Sequence, residues 1–293
     1  MKESIIKAGE IAQKVKTFAR KLIEKDMPLV EIADKIEAKI VELGGKVAFP
    51  TNLSINDIAA HFTPTADDTT LATGLLKIDL GVQVDGYTAD TAFSLDLEDS
   101  DQNKKLIKAA EDALEKAIEL VKSQKEKTKL NEIGKIIQQT IEEEELSPII
   151  NLSGHSIDEY DLHSGITIPN VDNKNTNEIE KGIRAIEPFA TSGSGKVYDG
   201  KPSGIYVLQQ PKNLRSPLAR EVISYIMEEY QTLPFCERWI VNKFGARARL
   251  ALKQLEDNES LHQFAQLIEA SHEPVAQAEH TLLIDDKEVK VVS

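Results

Sequence analysis

Cysteine is nearly missing from this chain of 293 residues. Cys236 stands alone, so no disulfide can close within it, and a reducing compartment, the cytoplasm, is the expectation. Long apolar runs are missing too: none approaches the roughly 18 residues of a membrane-spanning helix. The first stretch is a charged amphipathic helix without the apolar h-region of a secretory signal. Positive charge is scarce. The 35 Lys+Arg against 49 Asp+Glu leave a net charge of −14, which argues against nucleic acid or an anionic membrane as a partner. There is no internal repeat, and no polybasic or low-complexity arm ahead of the folded-looking sequence. What remains is ordinary globular composition, 41% hydrophobic and 29% charged, with room for one large domain or two smaller ones.

The most informative segment is KIDLGVQVDGYTADTAFSL, in which Asp79 and Asp90 flank Asp85-Gly86. Asp-Gly between alternating apolar residues predicts a hairpin with a two-residue turn. That register sets Asp79 opposite Ala92 and Asp90 opposite Gly81. The aspartates then become diagonal neighbours on one face, about 7–8 Å apart at Cα. A three-residue loop would send them to opposite faces. The alternation favours the first register. Ile78, Leu80, Val82 and Val84 with Tyr87, Ala89, Phe93 and Leu95 form a buried face, while Lys77, Gln83, Thr88 and Ser94 share the polar face with the aspartates. Two carboxylates on rigid strands over a wet cavity suggest a metal site, although such a pair can also simply bracket a polar sheet face.

Helical spacing predicts helices over 2–25 and about 29–43, the second ending at Gly44-Gly45. An irregular stretch, 46–74, holds Pro50, His61 and Pro64 ahead of the hairpin. Two more helices are expected at about 102–122 and 129–145, then short strands and loops over 148–190. Helix–helix–hairpin followed by helix–helix–strands reads as a duplicated α+β unit with helices on one face of a sheet. From about 192 the sequence turns rich in glycine and proline, then helical at about 216–230, 234–243 and 246–256. Residues 275–292 return to strand-like alternation. The expected organisation is a sheet domain of 1–194 and 271–293 with a helical insertion at 195–270.

Reactive side chains gather in further segments. Asn151-Leu-Ser-Gly-His155 and Tyr160-Asp-Leu-His163-Ser-Gly165 place each histidine near a glycine. Glu187 lies in Ala185-Ile-Glu187-Pro-Phe189, Glu279 in Gln277-Ala-Glu279-His280-Thr281, and His61 follows Ala59-Ala60. Singly, each has a plainer reading: a strand glutamate is usually solvated, and a loop histidine usually caps or faces water. His280 shares its strand face with Ala278, Leu282 and Ile284 and is read as a satisfied core histidine. His262 and His272 have no motif around them. The basic run Lys243–Arg249 is read as a solvated helix face.

In order along the chain, KIDLG…DTA, LSGHSIDEYDLHSGITIPN, AIEPFAT and VAQAEHT resemble the methionine aminopeptidases. AFPTNLSINDIAAHFTP and LPFCERWI are similar to the type 2 branch, in its short archaeal form without an N-terminal extension. The resemblance implies the α+β pita-bread fold, a curved antiparallel sheet with pseudo-twofold halves, plus a winged-helix-like insertion that helps wall the site. It makes Asp79, Asp90, His155, Glu187 and Glu279 ligands of two divalent ions, with Asp90 and Glu279 bridging, Asp79 on one ion, and His155 and Glu187 on the other. An oxygen-rich shell with one imidazole suits Co, Mn, Fe or Zn without choosing among them. The implied reaction is removal of the initiator methionine from nascent proteins. Glu187 would shuttle a proton, His163 would contact the scissile carbonyl and His61 the substrate amide, with Phe49, Leu152, Leu162 and Phe189 around the methionine side chain. Two departures are local: Ala278 where the branch usually has phenylalanine, and Gly74-Leu75 in place of Gly-Asp. A monomer is expected, and transient proximity to the ribosome has no residue here to carry it. An Xaa-Pro peptidase of the same fold would share the five ligands; a noncatalytic relative would have lost some.

Overall fold

Asp85 and Gly86 both take left-handed backbone, φ 51° and 82°, as a two-residue turn matched to strand twist requires. The strands they join pair in the expected register, Asp79 with Ala92 and Asp90 with Gly81. The computed structural model describes residues 1–212 and 214–293. Its first half runs α1 (Lys2–Leu22), α2 (Leu29–Glu42), β1 (Lys46–Ile55), β2 (Ile58–Ala60), β3 (Leu75–Val84) and β4 (Tyr87–Asp96). The second runs α3 (Asp101–Gln124), α4 (Leu130–Glu142), β5 (Ser147–Pro148), β6 (Ser153–Ile157), β7 (Thr167–Pro169), β8 (Gly182–Ile186) and β9 (Phe189–Thr191). Next come β10 (Val197–Leu208), α5 (Pro217–Glu229), β11 (Phe235–Cys236), α6 (Glu237–Phe244), α7 (Ala248–Asp257) and β12 (Leu261–Glu269). The chain then returns to the second half as β13 (Val275–Gln277), β14 (His280–Ile284) and β15 (Val289–Val291).

Each half is a pair of helices on antiparallel strands. In the first, strands run β1-β3-β4, and α1 lays Ile5, Ala8, Ile11, Ala12, Val15 and Ala19 on the apolar face of the hairpin. In the second, α3 and α4 cover the order β15-β14-β8-β6-β7. Ser100 caps α3 by accepting from Asn103 N–H, which satisfies one of the four free donors of the first turn. Burying each Ile or Val contributes about 1.5–3 kcal/mol, so amphipathic stripes of this length fix which helix face meets the sheet. This is the pita-bread arrangement that the resemblance implies.

The halves are joined by hydrogen bonds between β4 and the segment 277–281. Thr281 Oγ1 accepts from Asp90 N and donates to Asp90 O, both at 2.9 Å. Thr91 Oγ1 donates to Glu279 O at 3.0 Å, and Glu279 N donates to Ala92 O at 3.1 Å.

Three expectations need correction. The polar face of the hairpin is not wet: Lys77, Gln83, Thr88 and Ser94 are all buried, with Lys77 Nζ donating to Asn56 O and Val275 O, and Ser94 Oγ to Gln277 O. The stretch 46–74 contains a ten-residue strand, β1; Pro50 hid it, and register shifts between Phe49 and Asn52 absorb that proline. Residues 195–270 are not only helical, because β10 and β12 form a long antiparallel pair. Gly200 and Pro202 read as breakers in sequence, yet a shift in register between Asp199 and Pro202 lets the strand continue.

Helices α5 to α7 have a separate apolar cluster and are tied to α2 by Arg238. Its guanidinium, 1% exposed, donates to both Glu37 oxygens at 2.8 and 3.0 Å, to Asp34 at 2.6 Å and to Pro64 O at 3.2 Å. Arg238→Met is expected to lower stability by about 3 kcal/mol, because Glu37 is left buried without its partner. A urea titration reads this as an earlier midpoint at unchanged slope. A midpoint equal to that of the parent would show that the pair holds nothing.

Candidate metal centre

The hairpin sets Asp79 and Asp90 on the same side of the sheet, and the strands of the second half bring three more ligands toward them. His155 projects from the middle of β6, Glu187 from the corner between β8 and β9, and Glu279 from the residue ahead of β14. Two triads have donor atoms mutually within 4.8 Å: Asp90, His155 and Glu279, and Asp79, Glu187 and Glu279. Glu279 is common to both. Glu187 meets Asp79 and Glu279 in the second triad.

Among the described residues, several atoms of these groups have no partner. Asp79 Oδ1, Asp90 Oδ1, His155 Nδ1 and both carboxylate oxygens of Glu279 are buried without a hydrogen-bond partner. A buried acceptor left unmade costs about 1–3 kcal/mol, more when charged, so this many on one spot form a set suited to a cation. Burial and mutual repulsion raise the pKa of Asp90, Glu187 and Glu279 well above the ordinary carboxylate range, and burial brings Asp79 up to about 7. Divalent cations reverse both terms. The donor set, four carboxylates and one imidazole, fits hard to borderline ions.

Residues beyond the ligands hold them in place. Gln277 Nε2 donates to Glu187 Oε1 at 2.7 Å, and Asn170 Nδ2 donates to the carbonyls of Glu187 and Leu152, both at 3.0 Å. Neither was singled out in sequence, although strand alternation puts Gln277 on the same face as Glu279. Gly81 serves the site by absence: a Cβ there would lie 2.3 Å from the Phe49 ring, which packs across the strand beside Asp90.

Four of the five candidate ligands, Asp79, Asp90, His155 and Glu187, line a cavity of ≈ 300 Å³. His61 and His163 line it, as do Phe49, Leu152, Leu162 and Phe189, so every expected pocket residue meets there. Ile205, Pro234, Phe264 and Leu267 complete the apolar wall. Sequence reading missed Ile205, Phe264 and Leu267 because β10 and β12 were not expected as strands, and Pro234, just ahead of β11, with them. His61 has φ 62°, a left-handed conformation uncommon outside glycine and a mark of positions held for function. Its ring meets Phe264 edge-on at 5.6 Å, and the His155 and His163 rings lie 4.3 Å apart. Burial brings His61 down to about 4 and His155 to about 3, and lowers His163 as well. At neutral pH these imidazoles are uncharged, each able to donate one N–H. His280 differs from its expectation. It is only half-buried and lies on the helix side of the sheet with Ala278, Leu282 and Ile284, away from the ligands.

Carboxylates converging with one imidazole at the bottom of a cavity, on this fold, define a metal-dependent hydrolase. The family described as Metallopeptidase family M24 matches residues 3–274. A methionine aminopeptidase of Pyrococcus horikoshii is 42% identical over 99% of this chain and 99% of its own length, and one of Methanocaldococcus jannaschii is 44% identical over 99% and 98%. The chain belongs to the methionine aminopeptidases of metallopeptidase family M24. Among solved structures, a thermophilic Arx1 superposes with a TM-score of 0.83 at 17% identity, covering 99% of this chain and 90% of that one. Methionine aminopeptidase from Thermotoga maritima gives 0.70 at 20% identity, covering 99% and 95%. At such identities these structures speak for the fold alone.

Proposed function

We propose that this chain removes the initiator methionine from nascent proteins by hydrolysis at a centre of two divalent ions, Co, Mn, Fe or Zn, held by Asp79, Asp90, His155, Glu187 and Glu279. The convergence in one cavity of orphaned carboxylates, two neutral histidines and an apolar wall carries the reading. Divalent ions bound there supply Lewis acidity and water of lowered pKa. Glu187, held at Oε1 by Gln277, accepts the proton of the attacking water at its other oxygen and returns it to the departing nitrogen. His163 donates its N–H to the carbonyl oxygen as charge gathers there, and His61 holds the substrate amide. Phe49, Leu152, Leu162 and Phe189 receive the methionine side chain and exclude water. The reading places the work in the cytoplasm, by a monomer, on chains close to the ribosome, and involves neither nucleic acid nor membrane.

An Xaa-Pro peptidase would use the same five ligands. The methionine reading is favoured by relatives of more than 40% identity along nearly the whole chain. A chelated and remetallated preparation assayed on Met-Ala-Ser beside an Xaa-Pro peptide separates the two, and release from the Xaa-Pro peptide alone would refute the methionine reading. His61→Ala and His163→Ala are each expected to lower kcat by roughly 10²–10³-fold, the worth of one positioned donor, with metal content by elemental analysis unchanged. Loss of metal in either variant would move that histidine into the ligand shell.

A further inference from the structure

Where the two halves meet, α1 and α3 do not close over the sheet. Between them runs a cleft of ≈ 450 Å³ floored by Phe93 of β4 and by Ala278 and His280. Strand alternation turns Phe93 to this helix side and Asp90 to the other, so the cleft lies behind the metal centre and takes no part in the chemistry above.

The cleft is lined by three cations, Lys16, Arg20 and Lys122, and by three carboxylates of α3, Glu111, Glu115 and Glu119. Lys16 and Arg20, one helical turn apart on α1, both approach the Phe93 ring, with the guanidinium carbon at 4.3 Å and Nζ at 6.0 Å from its centroid. Lys122 enters from α3. Like charges at this spacing destabilise a helix, and burial together with Arg20 pushes the Lys16 ammonium down to about 8. Glu279 and Glu111 attract the Lys16 ammonium, but direct pairing is sparse. Among the described residues Lys16 hydrogen-bonds Thr91 Oγ1 at 3.2 Å and has no carboxylate within salt-bridge distance. Arg20 reaches Glu111 at 3.5 Å, with both side chains well exposed. Glu115 and Glu119 stand on the α3 rim without touching any of the three cations.

We infer that this cleft binds a small organic anion, its carboxylate or phosphate held by Lys16, Arg20 and Lys122 and its apolar part lodged over Phe93 and the open floor at Ala278. The small side chain of Ala278 leaves that floor open, and the volume admits a molecule of a few carbon atoms beyond its charged head. Such a ligand would sit one hydrogen-bond chain from the centre, from Lys16 through Thr91 Oγ1 to the carbonyl of Glu279.

Calorimetric titration with hexanoate and with hexyl phosphate, and with hexanamide as the neutral control, tests this on the metal-loaded protein. Binding of either anion to the parent is expected, with no heat from hexanamide. In Ala278→Phe, which fills the floor, and in Arg20→Gln and Lys122→Gln, on exposed helix surface, affinity should fall about tenfold or more, a loss of roughly 1.4 kcal/mol, at unchanged metal content. The preferred head group tells a carboxylate ligand from a phosphate one. Absence of binding to the parent would overturn the site. So would equal affinity in all three variants, the result that an anion seated on the metals themselves would give.

Discussion

Glu279→Gln is expected to abolish turnover of Met-Ala-Ser while making the metal-free protein more stable. The two effects have opposite signs for one reason. Glu279 belongs to both ligand triads, and its two oxygens are buried with no partner in the protein. Its charge is therefore of use only to a cation. An amide of the same shape brings no charge to a divalent cation, and the loss in kcat should be on the order of 10⁴-fold or more, since the proposed chemistry depends on a cation to acidify the attacking water. Without metal, the same exchange removes a carboxyl that burial, and the charges of Asp90, Glu187 and Asp79, force to carry a proton in the fold. That should raise stability by about 1–3 kcal/mol, or several degrees in Tm for a chain of this size. Retained turnover at full metal content would sink the shared-ligand assignment. A metal-free variant less stable than the parent would show that Glu279 has a structural partner.

Metal should also stabilise the fold by an amount that grows with pH. The four carboxylates have pKa values raised in the folded, metal-free chain, Asp79 to about 7 and the others well above the ordinary range. Groups raised in this way contribute stability that is complete below their unfolded values, near 4, and lost as pH rises through the folded ones. Two sets of groups act the other way. His61 and His155, lowered to about 4 and 3, contribute stability that falls away below pH 6.5, and Lys77, lowered to about 7 by burial, favours the fold as pH rises above that value. Comparing loaded with chelated protein removes His61 and Lys77, which are not ligands. The carboxylates are left, ionised when metal is bound and protonated when it is not, so binding releases protons. The stability difference between the two forms, followed through their Tm values, should widen between pH 6 and 7.5, reaching about 4 kcal/mol with metal in thousandfold excess over its Kd. A difference that stays flat across this range would mean that the carboxylates are ionised without metal and that the site is wetter than its burial implies.

The helices and the hairpin register were legible because each rests on a local rule, helical spacing and the Asp-Gly turn, while the five proposed ligands came from the resemblance carried by ordered motifs. Asp79 opposite Ala92 follows from the turn alone. What was not legible depends on contacts distant in sequence. Pro50 and Pro202 signalled breaks, yet β1 and β10 run through them because bulges take up the missing donor. Ile205 on β10, and Phe264 and Leu267 on its partner β12, were missed from the pocket wall for that reason. Lys77 and Gln83 looked solvated because alternation tells two faces apart without saying what covers the second. His280 looked like core because its strand neighbours are, and the gap between α1 and α3 cannot be seen from one strand.

The join between the halves bears on how the protein comes to be folded. Asp90 and Thr281 bond to each other across 191 positions of chain, and the ligands are divided between both sides of that join. Closing so long a loop is entropically unfavourable until many other contacts already hold its ends. Each half can build its own helices on its own strands beforehand, but neither half alone presents a complete triad containing Glu279 and an aspartate. The centre is therefore a late product of folding, completed only when two formed layers dock, and metal arrives as a lock on a finished structure rather than as a nucleus for it.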